Sequence, residues 1–126
     1  MENTGKIRIL IVDDRYMQVQ AWAEVMVGTG RYEVTTAFDG QQGLEKLCDN
    51  PVDIVLTDNN MPVMDGPTFV KEGKRLYPKL PFIIIAAEPF DVSLASIAQE
   101  CGADAYLPKP VDFKDLEEKI QALVER

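Results

Sequence analysis

Histidine is absent from the 126 residues. The commonest general base and the commonest transition-metal ligand are therefore missing. Ser-His-Asp and Cys-His catalytic sets and histidine-rich zinc sites are excluded. Cysteine is scarce, with only Cys48 and Cys101. Each falls near the end of an expected helix, without metal-ligand or redox spacing, and both are read as packing thiols. Positive charge is also short: 13 Lys and Arg face 21 Asp and Glu, a net charge of −8. So acidic a chain opposes direct contact with nucleic acid and with anionic membrane surfaces. No stretch approaches the roughly 20 apolar residues of a membrane span. The opening Met-Glu-Asn-Thr-Gly lacks the basic flank and apolar run of a signal peptide. A cytoplasmic location is the expectation.

What is present is a 46% hydrophobic content, enough for a core, in a length that suits one domain over residues 1–126. Strand-like apolar runs alternate with helical patterns. Strands are expected over Lys6–Val12, Tyr32–Ala37, Asp53–Thr57, Phe82–Ala86 and Asp104–Leu107. A first helix is expected over Arg15–Val27, with Ala21, Trp22, Val25 and Met26 on its inner face and Gly28-Thr29-Gly30 ending it. A second runs from its Asp39 cap to about Asp49, with Leu44 and Leu47 inward. Gly66-Pro67 opens a third that ends before Pro78. Gly73 inside it costs up to about 1 kcal/mol relative to alanine, and nothing in the sequence accounts for it. A fourth helix is expected from Asp91 to Cys101, closed by Gly102. The last is expected over Phe113–Glu125, with Leu116, Ile120 and Leu123 inward. Five βα units with right-handed crossovers imply an α/β fold: a three-layer, doubly wound (βα)5 sandwich around a parallel sheet of order 2-1-3-4-5.

Acidic residues stand where strands end. The first strand runs into Asp13-Asp14 and the third into Asp58. In an open parallel sheet, strand C-termini share one edge, and ligands bind at the switch point of strand order. Three carboxylates gathered there repel one another unless a cation sits among them. Oxygen-only ligands in a shallow pocket suit Mg²⁺, which favours phosphate as a co-ligand. The chemistry indicated is divalent-metal and phosphoryl chemistry at Asp58.

Further pieces stand in order on the same elements. Met61-Pro62-x-Met64-Asp65-Gly66 follows Asp58, and Gly102-Ala103-Asp104-Ala105-Tyr106-Leu107-Pro108-Lys109-Pro110 covers the fifth strand. With these, essentially the whole chain resembles the receiver domain of bacterial two-component response regulators, and in particular the single-domain chemotaxis-type regulators, which share a flavodoxin-like fold. The resemblance implies a phospho-accepting signalling switch, and no enzyme beyond its own phosphoryl acceptance and hydrolysis. Asp58 would take a phosphoryl group from a histidine kinase or a phosphotransfer protein in a Mg²⁺-dependent reaction. Asp14 and Asp58 would ligate Mg²⁺ directly with the backbone carbonyl of Asn60, and Asp13 through a metal-bound water. Lys109 would supply a second cation to a phosphoryl oxygen. Asn60 and Glu88 would flank the site and tune the phosphate lifetime. Tyr106 is either a half-buried strand aromatic or the family's rotamer switch. A downstream protein partner or output domain would read the face of the fourth helix, fifth strand and fifth helix, on a monomer or an activation-linked dimer. The chain ends about where the fifth helix should. It is expected to be either a stand-alone receiver or one excised from a longer protein.

One position departs from the pattern. The fourth strand of the family usually ends in Ser or Thr, and here Ala86-Ala87 stands there. Alanine has no hydroxyl to donate to a phosphoryl group. One lost bond to a charged group costs on the order of 1.5–3 kcal/mol, so weakened coupling to Tyr106 is expected. The competing readings are a phosphorylation-independent interaction module of the same fold and an aspartyl-phosphate phosphohydrolase. Adjacent acids rather than Asp-x-Asp, and no insertion to form a cap, count against the phosphohydrolase.

Overall fold

A computed structural model of the chain describes residues 5–86 and 100–125. Along it run β1 (Ile7–Val12), α1 (Tyr16–Gly28), β2 (Tyr32–Ala37), α2 (Gly40–Asp49), β3 (Ile54–Asp58), α3 (Gly66–Leu76), β4 (Phe82–Ala86), β5 (Ala105–Pro108) and a last helix, α4 (Phe113–Glu125). The expected helix from Asp91 falls on residues outside the described set, apart from its final two positions. The five strands form one parallel sheet in the order β2-β1-β3-β4-β5. β1 and β3 are neighbours with chain crossing on either side, so the switch point of the sheet lies between them.

Strand alternation builds the two cores. Side chains at successive positions point to opposite faces. Ile9, Ile11, Ile54, Leu56 and Ile83 meet Val19 and Met26 of α1 and Leu116 and Ile120 of α4. Leu10, Val12, Val55, Phe82 and Ile84 meet Leu47 of α2 and Phe69 and Val70 of α3. Strands apolar on both faces are what a sheet covered by helices on each side requires.

Local signals place the helices. Asp39 accepts a hydrogen bond from Gln42 N–H at 2.8 Å and caps α2. Asp65 does the same for α3 through Thr68 N–H at 2.9 Å, with Pro67 in the first turn. Gly73 has a packing cause: a Cβ there would stand 2.4 Å from Cζ of the buried Phe82 ring.

Two expectations are corrected. On α1, Ala21 and Val25 face outward, and the buried residues are Val19 and Met26, with Trp22 half-buried beside them. This helix is apolar nearly all round, so its composition allowed several inward arcs, and the sheet selected the one through Val19, Trp22 and Met26. Cys48 is exposed rather than packed, because Leu47 beside it takes the inward position of α2; Cys101 is half-buried.

Candidate functional site

The β1–β3 register delivers the acids. Val12 pairs with Thr57, so Asp13 and Asp58 come side by side one residue further along. Asp58 is the last residue of β3, still in the ladder opposite Ile85, and Asn59 N–H extends the pairing to Ile85 O at 3.0 Å. Asp13 continues β1 through its N–H to Ala37 O at 3.1 Å. Both carry on the rows of Ile9, Ile11 and of Ile54, Leu56, and so turn toward the α1 and α4 side. Asp13 and Asp58 are buried, while Asp14 is exposed. Oxygens of all three lie within 4.8 Å of one another.

The loop after β3 closes over this edge. Asn60 N–H donates to Asp58 Oδ2 at 3.1 Å. Gly66 N–H donates to Asn59 O at 3.0 Å. A Cβ on Gly66 would stand 2.3 Å from the Asp58 carbonyl oxygen. Glycine is therefore required for α3 to start this close to the end of β3.

Lys109 reaches the cluster from the end of β5. Its Nζ lies 2.5 Å from Asp58 Oδ1 and 3.9 Å from Asp13 Oδ2. The backbone N–H of Lys109 donates to Ala86 O at 2.8 Å, which ties the lysine to the end of β4. Ala86 is buried beside it. Tyr106 is half-buried, paired with Ile84 and packed against the α2–α3 core. Asn60 is exposed. Glu88 and Ala87 lie outside the described residues.

Arg15, expected only to start a helix, also joins the cluster. Its Nη2 lies 3.3 Å from Asp13 Oδ2 and 3.5 Å from Asp58 Oδ1. The signal available in the sequence was a basic residue directly after the acidic pair. Asp13 Oδ1 in turn accepts Arg15 N–H at 3.0 Å, so one carboxylate both orders the entry to α1 and faces the pocket.

Burial, followed by the charge of Asp13, pushes the Asp58 carboxyl from 3.8 up to about 6; Arg15 and the Asn60 N–H act against this. The contact with Lys109 also opposes it. Among the described residues, two cations against three carboxylates leave the pocket negative. The side-chain donors that these residues gather there are carboxylate oxygens, a hard set that fits Mg²⁺ rather than zinc or copper. Beneath them is a cavity of about 30 Å³, lined in part by Asp13, Trp22, Asp58 and Lys109. A larger groove of about 500 Å³, bordered by Leu47, Pro51, Asp53 and Tyr77, opens at the opposite edge of the sheet. Its one carboxylate, Asp53, is held by Arg8 at 3.0 Å.

The family model "Response regulator receiver domain" matches residues 9–121, and the chain belongs to that family. It is a receiver domain of two-component signalling. The chain is 34% identical to the "Probable chemotaxis protein CheY" of Rhizobium etli, over 98% of this chain and 96% of that protein. It is 38% identical to the transcriptional regulatory protein ZraR of Salmonella typhimurium, over 93% of this chain but only 26% of ZraR. Among solved structures, chemotaxis protein CheY4 of Vibrio cholerae matches with a TM-score of 0.86 and 29% identity, covering 94% of this chain and 98% of that one. A receiver domain protein from Clostridium thermocellum matches with a TM-score of 0.86 and 31% identity, covering 95% of each chain. No helix among the described residues is long and apolar enough to cross a membrane.

Proposed function

We propose that the chain is a phospho-accepting switch in which Asp58 takes a phosphoryl group from a phosphohistidine on a histidine kinase or phosphotransfer protein. The observation that carries this reading is the convergence of Asp13, Asp14, Asp58 and Lys109 at one switch point. An Asp58 oxygen attacks phosphorus, the P–N bond to the donor imidazole breaks, and the imidazole nitrogen keeps the electron pair. No general base is needed, because a carboxyl titrating at about 6 is mostly ionised at neutral pH. Asp13, Asp14, Asp58 and the Asn60 carbonyl would hold Mg²⁺, Asp13 by way of a metal-bound water. The ion supplies charge neutralisation for the transferring phosphoryl group. Asn60 N–H holds Asp58 Oδ2 and so orients the nucleophile. Lys109, paired with Asp58 in the unphosphorylated site, would move that contact to a phosphoryl oxygen as charge builds there. Hydrolysis returns the carboxylate when water attacks phosphorus and the P–O bond to Asp58 breaks. In this reading Asn60 and Glu88 tune the lifetime of the acyl phosphate.

The output passes to a protein partner through the face formed by the expected helix from Asp91, β5 and α4, with Tyr106 as the moving aromatic. Ala86 removes the hydroxyl that would join phosphoryl group to strand, so the response of this face is weak. The same residue favours a second reading, an interaction module indifferent to phosphate.

The test is intact-protein mass after incubation with acetyl phosphate and Mg²⁺. Wild type gains one phosphoryl group, lost when EDTA is present, and Asp58→Asn gains none. No gain in wild type at saturating donor would reject the switch and favour the second reading.

A further inference from the structure

The phosphoryl-transfer chemistry gives Arg15 nothing to do, yet its side chain lies across the carboxylates. Nε and Nη2 stand 3.4 and 3.3 Å from Asp13 Oδ1 and Oδ2, so both oxygens of that group face the guanidinium fork. The same Nη2 also lies 3.5 Å from Asp58 Oδ1. This is the paired geometry that a planar guanidinium makes and an ammonium cannot. The group carries its charge at every pH at which the protein is folded.

A divalent cation held by this cluster uses the same oxygens, directly or through its waters. Two cations on one set of oxygens repel, and the carboxylate lone pairs cannot serve both at full strength. The two basic side chains differ in their freedom to leave. Lys109 is 14% exposed and tied by its backbone to Ala86, whereas the Arg15 side chain is 50% exposed. Arg15 can withdraw into water without stranding a buried charge. Being tethered, it competes at high effective concentration however dilute the protein is.

We propose that Arg15 is a built-in competitor of the divalent cation, a residue that sets how tightly this site takes its metal. The inference rests on reading the acidic cluster as a metal site. It makes this chain a weak metal binder for its carboxylate count.

Mg²⁺ affinity tests it, measured by calorimetry and, in parallel, by the fluorescence of Trp22, the only tryptophan and a neighbour of Asp13 and Asp58 around the small cavity. Arg15→Gln should bind Mg²⁺ about tenfold more tightly than wild type, or about 1.4 kcal/mol. Arg15→Lys, which keeps the charge and loses the fork, should fall between them. Lys46→Gln removes an exposed positive charge on α2, away from the cluster, and should change the affinity by less than about twofold because of screening. Equal or weaker binding by Arg15→Gln would overturn the proposal. So would an equal gain in Lys46→Gln, which would show net charge at work rather than competition. Absence of Mg²⁺ binding in every variant would remove the metal site itself, a result distinct from equal affinities.

Discussion

At the residue scale, Asp58 couples the site to pH. Its carboxyl titrates near 6 in the folded chain against 3.8 as a free group, so the folded protein holds that proton more tightly than the unfolded chain does. Its contribution to stability is therefore fully present below about 3.8 and is lost as pH rises through about 6. The gap corresponds to at most about 3 kcal/mol. Without Mg²⁺, wild type should gain stability relative to Asp58→Asn as pH falls from 7 to 4, read as the difference between their urea midpoints. A difference that does not vary with pH would refute this. Function runs the other way: the rate of phosphorylation by acetyl phosphate should fall as acid protonates the nucleophile, at a pH below the metal-free midpoint because bound Mg²⁺ favours the carboxylate. Ala86 yields a separate expectation. Ala86→Thr should enlarge the change that a phosphoryl mimic causes in hydrogen exchange across β5 and α4, by about tenfold in the switching equilibrium. A response equal to that of wild type would reject a coupling role for the missing hydroxyl.

At the scale of elements, α3 and β4 are fitted through one glycine. Gly73 lies in the helix interior, where alanine would gain up to about 1 kcal/mol of propensity. The buried Phe82 ring, which also packs edge-on against Phe69 at 5.7 Å, occupies the space that a methyl group would need. Overpacking costs typically about 1–3 kcal/mol, so the clash should outweigh the propensity. Gly73→Ala should lower stability in urea unfolding, and Phe82→Leu in the same chain should recover part of the loss. A more stable Gly73→Ala would mean that the ring shifts freely. Lys74 adds to this junction: its Nζ donates to Leu80 O at 2.9 Å and pairs with Asp104 at 3.0 Å. Asp104 in turn accepts Phe82 N–H at 2.9 Å. The start of β4 is thus held by α3 and by the chain entering β5.

At the scale of the whole molecule, the sheet puts mutually repelling carboxylates at its C-terminal edge and leaves them with an excess of negative charge. Cation binding should therefore stabilise the fold by mass action. Mg²⁺ at about 100 times its dissociation constant adds about 2.7 kcal/mol. The melting temperature should rise with Mg²⁺ and fall back with EDTA, and Asp14→Asn should reduce the rise. An equal rise in Asp14→Asn would place the stabilising ion elsewhere. Arg31, just before β2, and Tyr32, its first residue, both meet Glu117 of α4, which joins the edge strand to the last helix far from that pocket.

Five strands, their order and the carboxylate positions were legible in the sequence. Their signals are local or topological: β runs of four to six residues, acids at strand ends, caps at Asp39, and right-handed crossovers that leave few arrangements. Asp13, Asp14 and Asp58 stood out for the same reason, since each lies at or just past the end of a strand and all strands of a parallel sheet end on one edge; Lys109 was singled out by the family resemblance. Other features depended on neighbours distant in the chain. The inward arc of α1 could not be read from a helix apolar almost all round; the sheet beneath it chose Val19 and Met26. Gly73 had no cause until Phe82 was set against it. Arg15 looked like the first residue of a helix, and only the meeting of β1 with β3 brought its guanidinium within reach of both Asp13 and Asp58. Periodicity and chain direction determine which side chains arrive at an edge, whereas the distances between those side chains, and so their pairing and titration, exist only once the strands lie side by side.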